Sequence, residues 1–399
     1  MERYPENGKG GARVDLKGSK RKGDGKVARS KRMANYELLR SLAMVMVVVM
    51  HFLARAEALP VLDLPLDAVK IIGALLEAFC LVAVNTYVFI SGYFGVKSAF
   101  KPGKAVSLLC QIWFYALLIP AVLFLAGVPT AAQEQGIYGL VQYLFPIETE
   151  HYWFATSYFM LYLLSPILNA AARSMSKRQF QIVIGGLLVL FSGIKSISPI
   201  VFAFDRYGYD LPWFICVYLI AAYFGLYGWD FFEEKGWFIY IGSCLLGFSI
   251  NLAMWFLSQR WDSFGYYFTV PFHYNFIFCL TGAIGLFYGF SRISIKEGWM
   301  AERIRKIGSL CFGVYLFHEH IDLRPLWYGW MRQIINPSGK YGLGFFLWEM
   351  ICCVLILFVM GIIIDWLRSV LFSFSITLVI GKTKLYQKVK ELDRVFQMK

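Results

Sequence analysis

Residues 37–51 read Glu37-Leu38-Leu39-Arg40-Ser41-Leu42-Ala43-Met44-Val45-Met46-Val47-Val48-Val49-Met50-His51. The stretch is apolar between two ionisable residues and reads as a first transmembrane helix. At the helical rise per residue, His51 lies about 16 Å along the axis from Arg40. That is past the middle of a hydrocarbon core about 30 Å thick. Arg40 would sit at the mouth, where it serves either as a snorkelling anchor or as a working cation. An imidazole at the depth of His51 is costly unless it packs against a partner or has a task. On this pair alone both readings stand.

The rest of the chain fits a membrane setting. Hydrophobic residues make up 58% of the 399 and charged residues 16%. A soluble domain carries about 25% charged residues. Mean hydropathy is +0.56. These values exclude a soluble globular protein and predict an all-α polytopic transmembrane helix bundle. The net charge of +13 is mostly topological, as the loops show, and no nucleic-acid partner is expected. The basic segment 17–32 suits anionic lipid better than nucleic acid.

The eight cysteines all fall in apolar runs, without a C-x-x-C pair. They read as buried thiols rather than as a disulfide or zinc framework. No metal is expected. Residues 1–34 form a basic tail, expected to be disordered and cytoplasmic. It lacks the apolar segment of a cleavable signal peptide. Met33 directly precedes the first ordered-looking residues, so the tail is expected to be an extension from an upstream start. Residues 35–381 form the membrane domain and 382–399 a basic cytoplasmic C-terminal tail.

Apolar windows mark about ten spans, near 37–56, 68–96, 105–128, 153–171, 180–197, 211–229, 236–257, 270–291, 307–320 and 341–364. A further apolar piece, 369–381, is read as a re-entrant or interfacial helix, or as part of an eleventh span. Cations alternate between loops. With the N-terminus inside, inner segments carry Lys97, Lys101 and Lys104, then Arg173, Lys177 and Arg178, then Arg292, Lys296, Arg303, Arg305 and Lys306. Outer loops carry few. The positive-inside rule then gives N-in, C-in, with the protein multi-pass in the plasma (inner) membrane.

That orientation gathers ionisable groups at the outer ends of separate spans: His51, then Glu148, Glu150 and His151, then His318-Glu319-His320. Asn85 and Ser91 lie within the second span. An imidazole near its ordinary pKa can take a proton from a hydroxyl, which acyl transfer to an alcohol requires. Blander roles exist for each. His318 and His320, two residues apart, would point to opposite sides of a helix and chelate one metal poorly. Glu148 and Glu150 suit a solvated loop. His273 suits packing one turn into the eighth span, and Trp153 and Tyr158 suit an aromatic belt.

Four segments together resemble a known family. Leu38-Leu39-Arg40 with Leu42-Ala43 and His51 is similar to the Arg-x10-His first helix of the membrane-bound acyltransferase family 3. Phe89-Ile90-Ser91-Gly92-Tyr93-Phe94 resembles the end of that family's second span. Trp153-Phe154 through Tyr162-Leu163-Leu164-Ser165-Pro166 resembles its fourth, and Gly313-Val314-Tyr315-Leu316-Phe317-His318 its late Gly-x-Tyr-Leu-x-His segment. The resemblance implies transfer of an acyl group, usually acetyl from acetyl-CoA, to a hydroxyl of a cell-surface polysaccharide or glycolipid. It makes acyl-CoA, the glycan acceptor and the lipid bilayer the partners, with no permanently bound cofactor and no fixed oligomeric state. By this reading His51 is the base or acyl relay, and His318 or Glu319 orients it or the acceptor. Arg40, Lys101 and Lys104 meet the phosphates of the donor. Trp153, Tyr158, Tyr162, Asn85 and Ser91 contact substrate. Two positions depart from the family. Tyr158 stands where many members have glutamate, and Lys101 and Lys104 stand near its paired arginines. Branches without that glutamate include proteins proposed to modify or help export capsule and biofilm polysaccharides. A polysaccharide exporter or flippase and a non-catalytic partner of glycan assembly are therefore the alternatives.

Overall fold

The computed structural model describes residues 33–62, 64–198, 200–203, 205–378 and 383–396. The basic segment 17–32 and most of the N-terminal tail lie outside the described residues. Everything described belongs to one compact unit, Met33–Lys399.

Among the described residues every regular element is helical: α1 Ala34–Arg55, α2 Ala68–Cys80, α3 Val82–Gly95, α4 Pro102–Leu125, the short α5 Ala131–Glu134 and α6 Ile137–Leu144, then α7 Trp153–Ser174 and α8 Lys177–Leu188. A π-helical turn, Val189–Gly193, passes into α9 Ile194–Ile197. There follow α10 Leu211–Tyr227, α11 Asp230–Ser258, α12 Gly265–Thr269, α13 Ile277–Ser291, α14 Trp299–His318, α15 Trp327–Ile335, α16 Leu343–Leu378 and α17 Lys384–Val395. Among the described residues, eight helical segments are long and apolar enough to cross a membrane. Two of the ten expected spans fall short of that standard. One is α10, which is apolar but short. The other is α14, whose first half carries Glu302, Arg303, Arg305 and Lys306. The expected piece after residue 368 is no separate element: α16 runs on without a break to Leu378, and 379–381 lie outside the described residues.

Side-chain chemistry sets several of the helix starts. Asp67 accepts the Lys70 amide at 2.8 Å to begin α2, and Asp210 accepts the Trp213 amide at 3.2 Å to begin α10. Each satisfies an amide that the first turn leaves without a helical partner. Pro120 and Pro166 lie inside α4 and α7 without ending them.

The centre of the bundle is α1, α3, α10, α13 and α14, with α7, α11 and α16 packed around it. Small residues set the closest approaches, as expected where van der Waals contact rather than hydrophobicity joins helices in lipid. A Cβ at Gly92 of α3 would stand 2.5 Å from the Tyr218 carbonyl oxygen of α10. A Cβ at Gly313 of α14 would run into Asp365 of α16. Asp365 is fully buried. It accepts from Gln111 (2.9 Å), Tyr115 (3.1 Å) and Arg368 (2.6 Å), which ties α4 to α16 through a charge-assisted node.

Candidate functional site

Because α1 is one unbroken helix, Arg40 and His51 mark its two ends, and the predicted residues divide between them. At the His51 end, α14 stops at His318, which brings His318 and Glu319 against α1. His51 Nδ1 lies 2.8 Å from His318 Nε2 and 3.4 Å from a Glu319 carboxylate oxygen. The other nitrogen of His318, Nδ1, lies 2.6 Å from the Val314 carbonyl. A carbonyl only accepts, so His318 Nδ1 carries the proton, and in the neutral ring Nε2 is a bare acceptor. His51 must therefore donate through Nδ1. Its Nε2 is left as a lone pair, and its side chain stays 22% exposed beside a cavity.

That cavity is narrow and is lined by Met44, Val47, His51, Val84, Tyr87, Trp153, Phe154, Tyr274, Phe312 and Tyr315. It is apolar but for the imidazole and a few hydroxyl and indole groups. Trp153 stacks on Tyr274 with ring centroids 5.6 Å apart. Tyr315 O–H accepts the Phe154 amide at 3.3 Å, at the first turn of α7. The positive end of the α7 dipole therefore faces the cavity wall. Tyr87 carries the wall toward the other end of α1 by donating to the Arg40 carbonyl at 2.5 Å.

At the Arg40 end the residues form a connected strip. Arg40 pairs with buried Glu37. The Ser91 hydroxyl lies 2.9 Å from the Tyr87 carbonyl and 3.0 Å from the Tyr158 hydroxyl. One turn on, Tyr162 O–H donates to the Lys101 carbonyl at 3.1 Å, and the Lys104 ammonium lies 5.1 Å from the Tyr162 ring centroid. The structure thus groups Tyr158 and Tyr162 with Ser91, Lys101 and Lys104, not with Trp153. Asn85 stands apart from the cavity. It is fully buried, donates to the Tyr274 carbonyl at 2.7 Å and accepts the Trp213 indole N–H at 2.9 Å. Both ends of its amide are spent on holding α3, α10 and the 274 segment together.

Other polar residues have structural partners. His320 is buried against His151, with ring centroids 4.4 Å apart. His151 pairs through Nδ1 with the Gln142 carbonyl at 3.1 Å. Burial pushes the His151 imidazole down to about 4, a shift that the Gln142 carbonyl opposes and Arg324 aids. Asp322 accepts from Tyr143 at 2.7 Å and from the Ala131 amide at 2.8 Å. His273 lies before α13, not within it, with its ring centroid 4.2 Å from that of Tyr207. Sequence reasoning missed Asp365 and Glu77, both buried carboxyls within helices. An acid inside an apolar run is the signal that marks them.

Ligand atoms of His51, His318 and Glu319 lie within 4.8 Å of one another, close enough to hold a cation. Here the two imidazoles engage each other directly. The unequal hydrogen-bonding of their nitrogens is what a proton-transfer group needs.

The fold and site together are those of a polytopic membrane helix bundle with an oriented, partly buried imidazole beside a mostly apolar cavity. The acyltransferase domain family matches residues 33–374, most of the chain, and the protein belongs to that family. No curated protein and no solved structure matches the chain significantly.

Proposed function

We propose that the protein is a plasma-membrane O-acyltransferase that moves an acyl group, most simply acetyl, from cytosolic acyl-CoA to a hydroxyl of a cell-surface polysaccharide or glycolipid. The observation that carries this reading is the tautomer of His51: Nδ1 donates to His318, and Nε2 is left as a base at the edge of the cavity. When Nε2 takes the proton of the acceptor hydroxyl, the imidazolium is held by the lone pair of His318 and the carboxylate of Glu319. A base so oriented needs no reorganisation at the moment of transfer.

The donor would enter at the Arg40 end. Arg40, Lys101 and Lys104 there offer cationic groups to its phosphates, and the apolar cavity from Tyr87 to His51 suits the thioester arm and the acyl group. Attack of the acceptor oxygen on the thioester carbonyl forms the ester bond. The C–S bond breaks, and the proton held on His51 passes to the departing thiolate. Trp153 offers an aromatic face to the acceptor. The loop charges support an inward Arg40 end.

The test is a deletion strain in which the surface glycan is purified and assayed for alkali-labile O-acyl groups. Loss of acyl groups from a normal amount of glycan is expected. Loss of exported glycan with normal acylation would overturn the reading and favour an exporter.

A further inference from the structure

The charged C-terminal helix α17 packs on α4, and the contact is made by particular residues. Val389, Asp393 and Phe396 recur at i, i+4 and i+7, which puts them on one helix face. The Asp393 carboxylate accepts the Gly103 amide at 2.8 Å. That amide lies in the first turn of α4, where no helical carbonyl reaches it. A Cβ at Gly103 would stand 2.9 Å from Asp393 and 3.4 Å from Val389, so glycine at 103 lets α17 come this close. The Phe396 ring lies 5.0 Å from that of Phe100, which in turn lies 5.1 Å from that of Tyr162. On the other side of α17, Lys384, Lys388, Glu391 and Arg394 are exposed.

The surface that α17 covers belongs to the strip at the Arg40 end. Phe100, Lys101, Gly103 and Lys104 form it, with the Tyr162 hydroxyl bonded to the Lys101 carbonyl. Among the described residues neither Lys101 nor Lys104 makes an ion pair, and the Lys104 ammonium rests 5.1 Å from the Tyr162 ring centroid. Two ammonium groups beside a first-turn amide favour negative charge. The helix α17 carries four cations and two acids, and it is an acid, Asp393, that it turns to this segment. A basic helix on a basic segment is otherwise repelled. The docked state therefore leans on one carboxylate and a few apolar contacts, and a ligand with more negative charge can displace it.

We propose that α17 is a strap over the donor mouth, in which the Asp393 carboxylate holds the place of a donor phosphate until acyl-CoA displaces it. The proposal rests on the reading above that donor phosphates meet Lys101 and Lys104. It makes the C-terminal helix an autoinhibitory element that competes with the donor and leaves the chemistry at His51 untouched. A displaced α17 has a place to go, because a basic amphipathic helix lies readily on an anionic leaflet. By linkage the competition is reciprocal: bound donor weakens the docking of the strap by the factor by which the strap weakens donor binding.

The test uses full-length protein in lipid nanodiscs in which Phe396 is replaced by the photocrosslinker p-benzoylphenylalanine. Without ligand, light should join α17 to residues 97–104. Saturating coenzyme A should cut that yield about threefold or more. Pantetheine, which has the thiol arm but no phosphate, should leave it unchanged. In steady-state transfer, Asp393→Ala and Phe396→Ala should lower KM for acetyl-CoA about threefold to tenfold, because apparent affinity scales with the open fraction. Their kcat should stay at the wild-type value. Asp393→Asn, which keeps an acceptor but drops the charge, should fall between Asp393→Ala and wild type. A crosslink that fails to form without ligand, that survives bound coenzyme A, or that pantetheine weakens as well, overturns the strap and leaves the donor reading in place. So does a KM that is unchanged or raised in both variants, since α17 would then be a fixed part of the fold. Failure of coenzyme A to bind the wild-type protein overturns the donor reading, and the strap with it.

Discussion

His318 touches the cavity only through His51, so its removal should slow transfer without abolishing it. In His318→Ala the Nδ1–H of His51 loses its acceptor at 2.8 Å, and only the Glu319 oxygen at 3.4 Å remains to hold the imidazolium. A hydrogen bond to a charged group contributes about 1.5–3 kcal/mol. At about 1.4 kcal/mol per decade, that is about a 10- to 150-fold fall in kcat. KM should move little, because the lost bond strengthens only as the proton arrives. The assay is incorporation of labelled acetyl from acetyl-CoA into surface glycan by membrane preparations, normalised to inserted protein. His318→Gln, which keeps an acceptor oxygen, should recover part of the loss. Activity within twofold of wild type would refute the tautomer argument. Loss as complete as that of a His51 variant would also refute it, since His318 would then be the base.

Three further outcomes follow from the packing. His151 lies outside the membrane-spanning helices and is held neutral, with its pKa brought down to about 4. An unfolded histidine titrates near about 6.5, so the contribution to stability is complete above that pH and is lost as pH falls toward 4. Thermal unfolding in detergent should be flat above pH 6.5 and weaken between 6.5 and 4, and a midpoint that rises on acidification would contradict this. Asp365→Ala leaves the partly buried Arg368 without its partner and also strands the Gln111 and Tyr115 donors, a change that costs about 1–3 kcal/mol. Folded yield by size-exclusion should collapse, and Asp365→Asn should restore part of it. Gly92→Val should separate α3 from α10 and lower folded yield, whereas Gly185→Ala, with open space around it, should be silent.

Much of the fold was legible because lipid leaves few choices: long apolar runs must be helices, and each expected span is found as helix. The exceptions have physical causes. The segment from Ser369 reads as a separate apolar piece, but Asp365 and Arg368, which interrupt the apolar run, pair with each other and α16 passes through them. Lys195 falls at the end of the apolar window 180–197, and its pairing with Asp205 was not legible because Asp205 belongs to a different stretch that only the fold brings near. His51, His318 and Glu319 were legible as a group because each is ionisable at the same end of a span. Asn85 bonds Tyr274 and Trp213, a placement not legible in sequence because a polar residue in an apolar helix looks the same whether it meets substrate or packs. Tyr162 lies at the Lys101 end because α7 carries it about 13 Å from Trp153, nine residues away at the helical rise.

The account turns on His51 Nε2 as the base. The most direct measurement is acetyl transfer from acetyl-CoA to surface glycan by His51→Ala and His51→Gln, with insertion verified by membrane fractionation and folding by thermal unfolding. A positioned general base contributes about 10²–10⁴ in rate, so both variants should lose at least a hundredfold while remaining inserted and folded. Transfer at close to the wild-type rate in either variant would contradict the account.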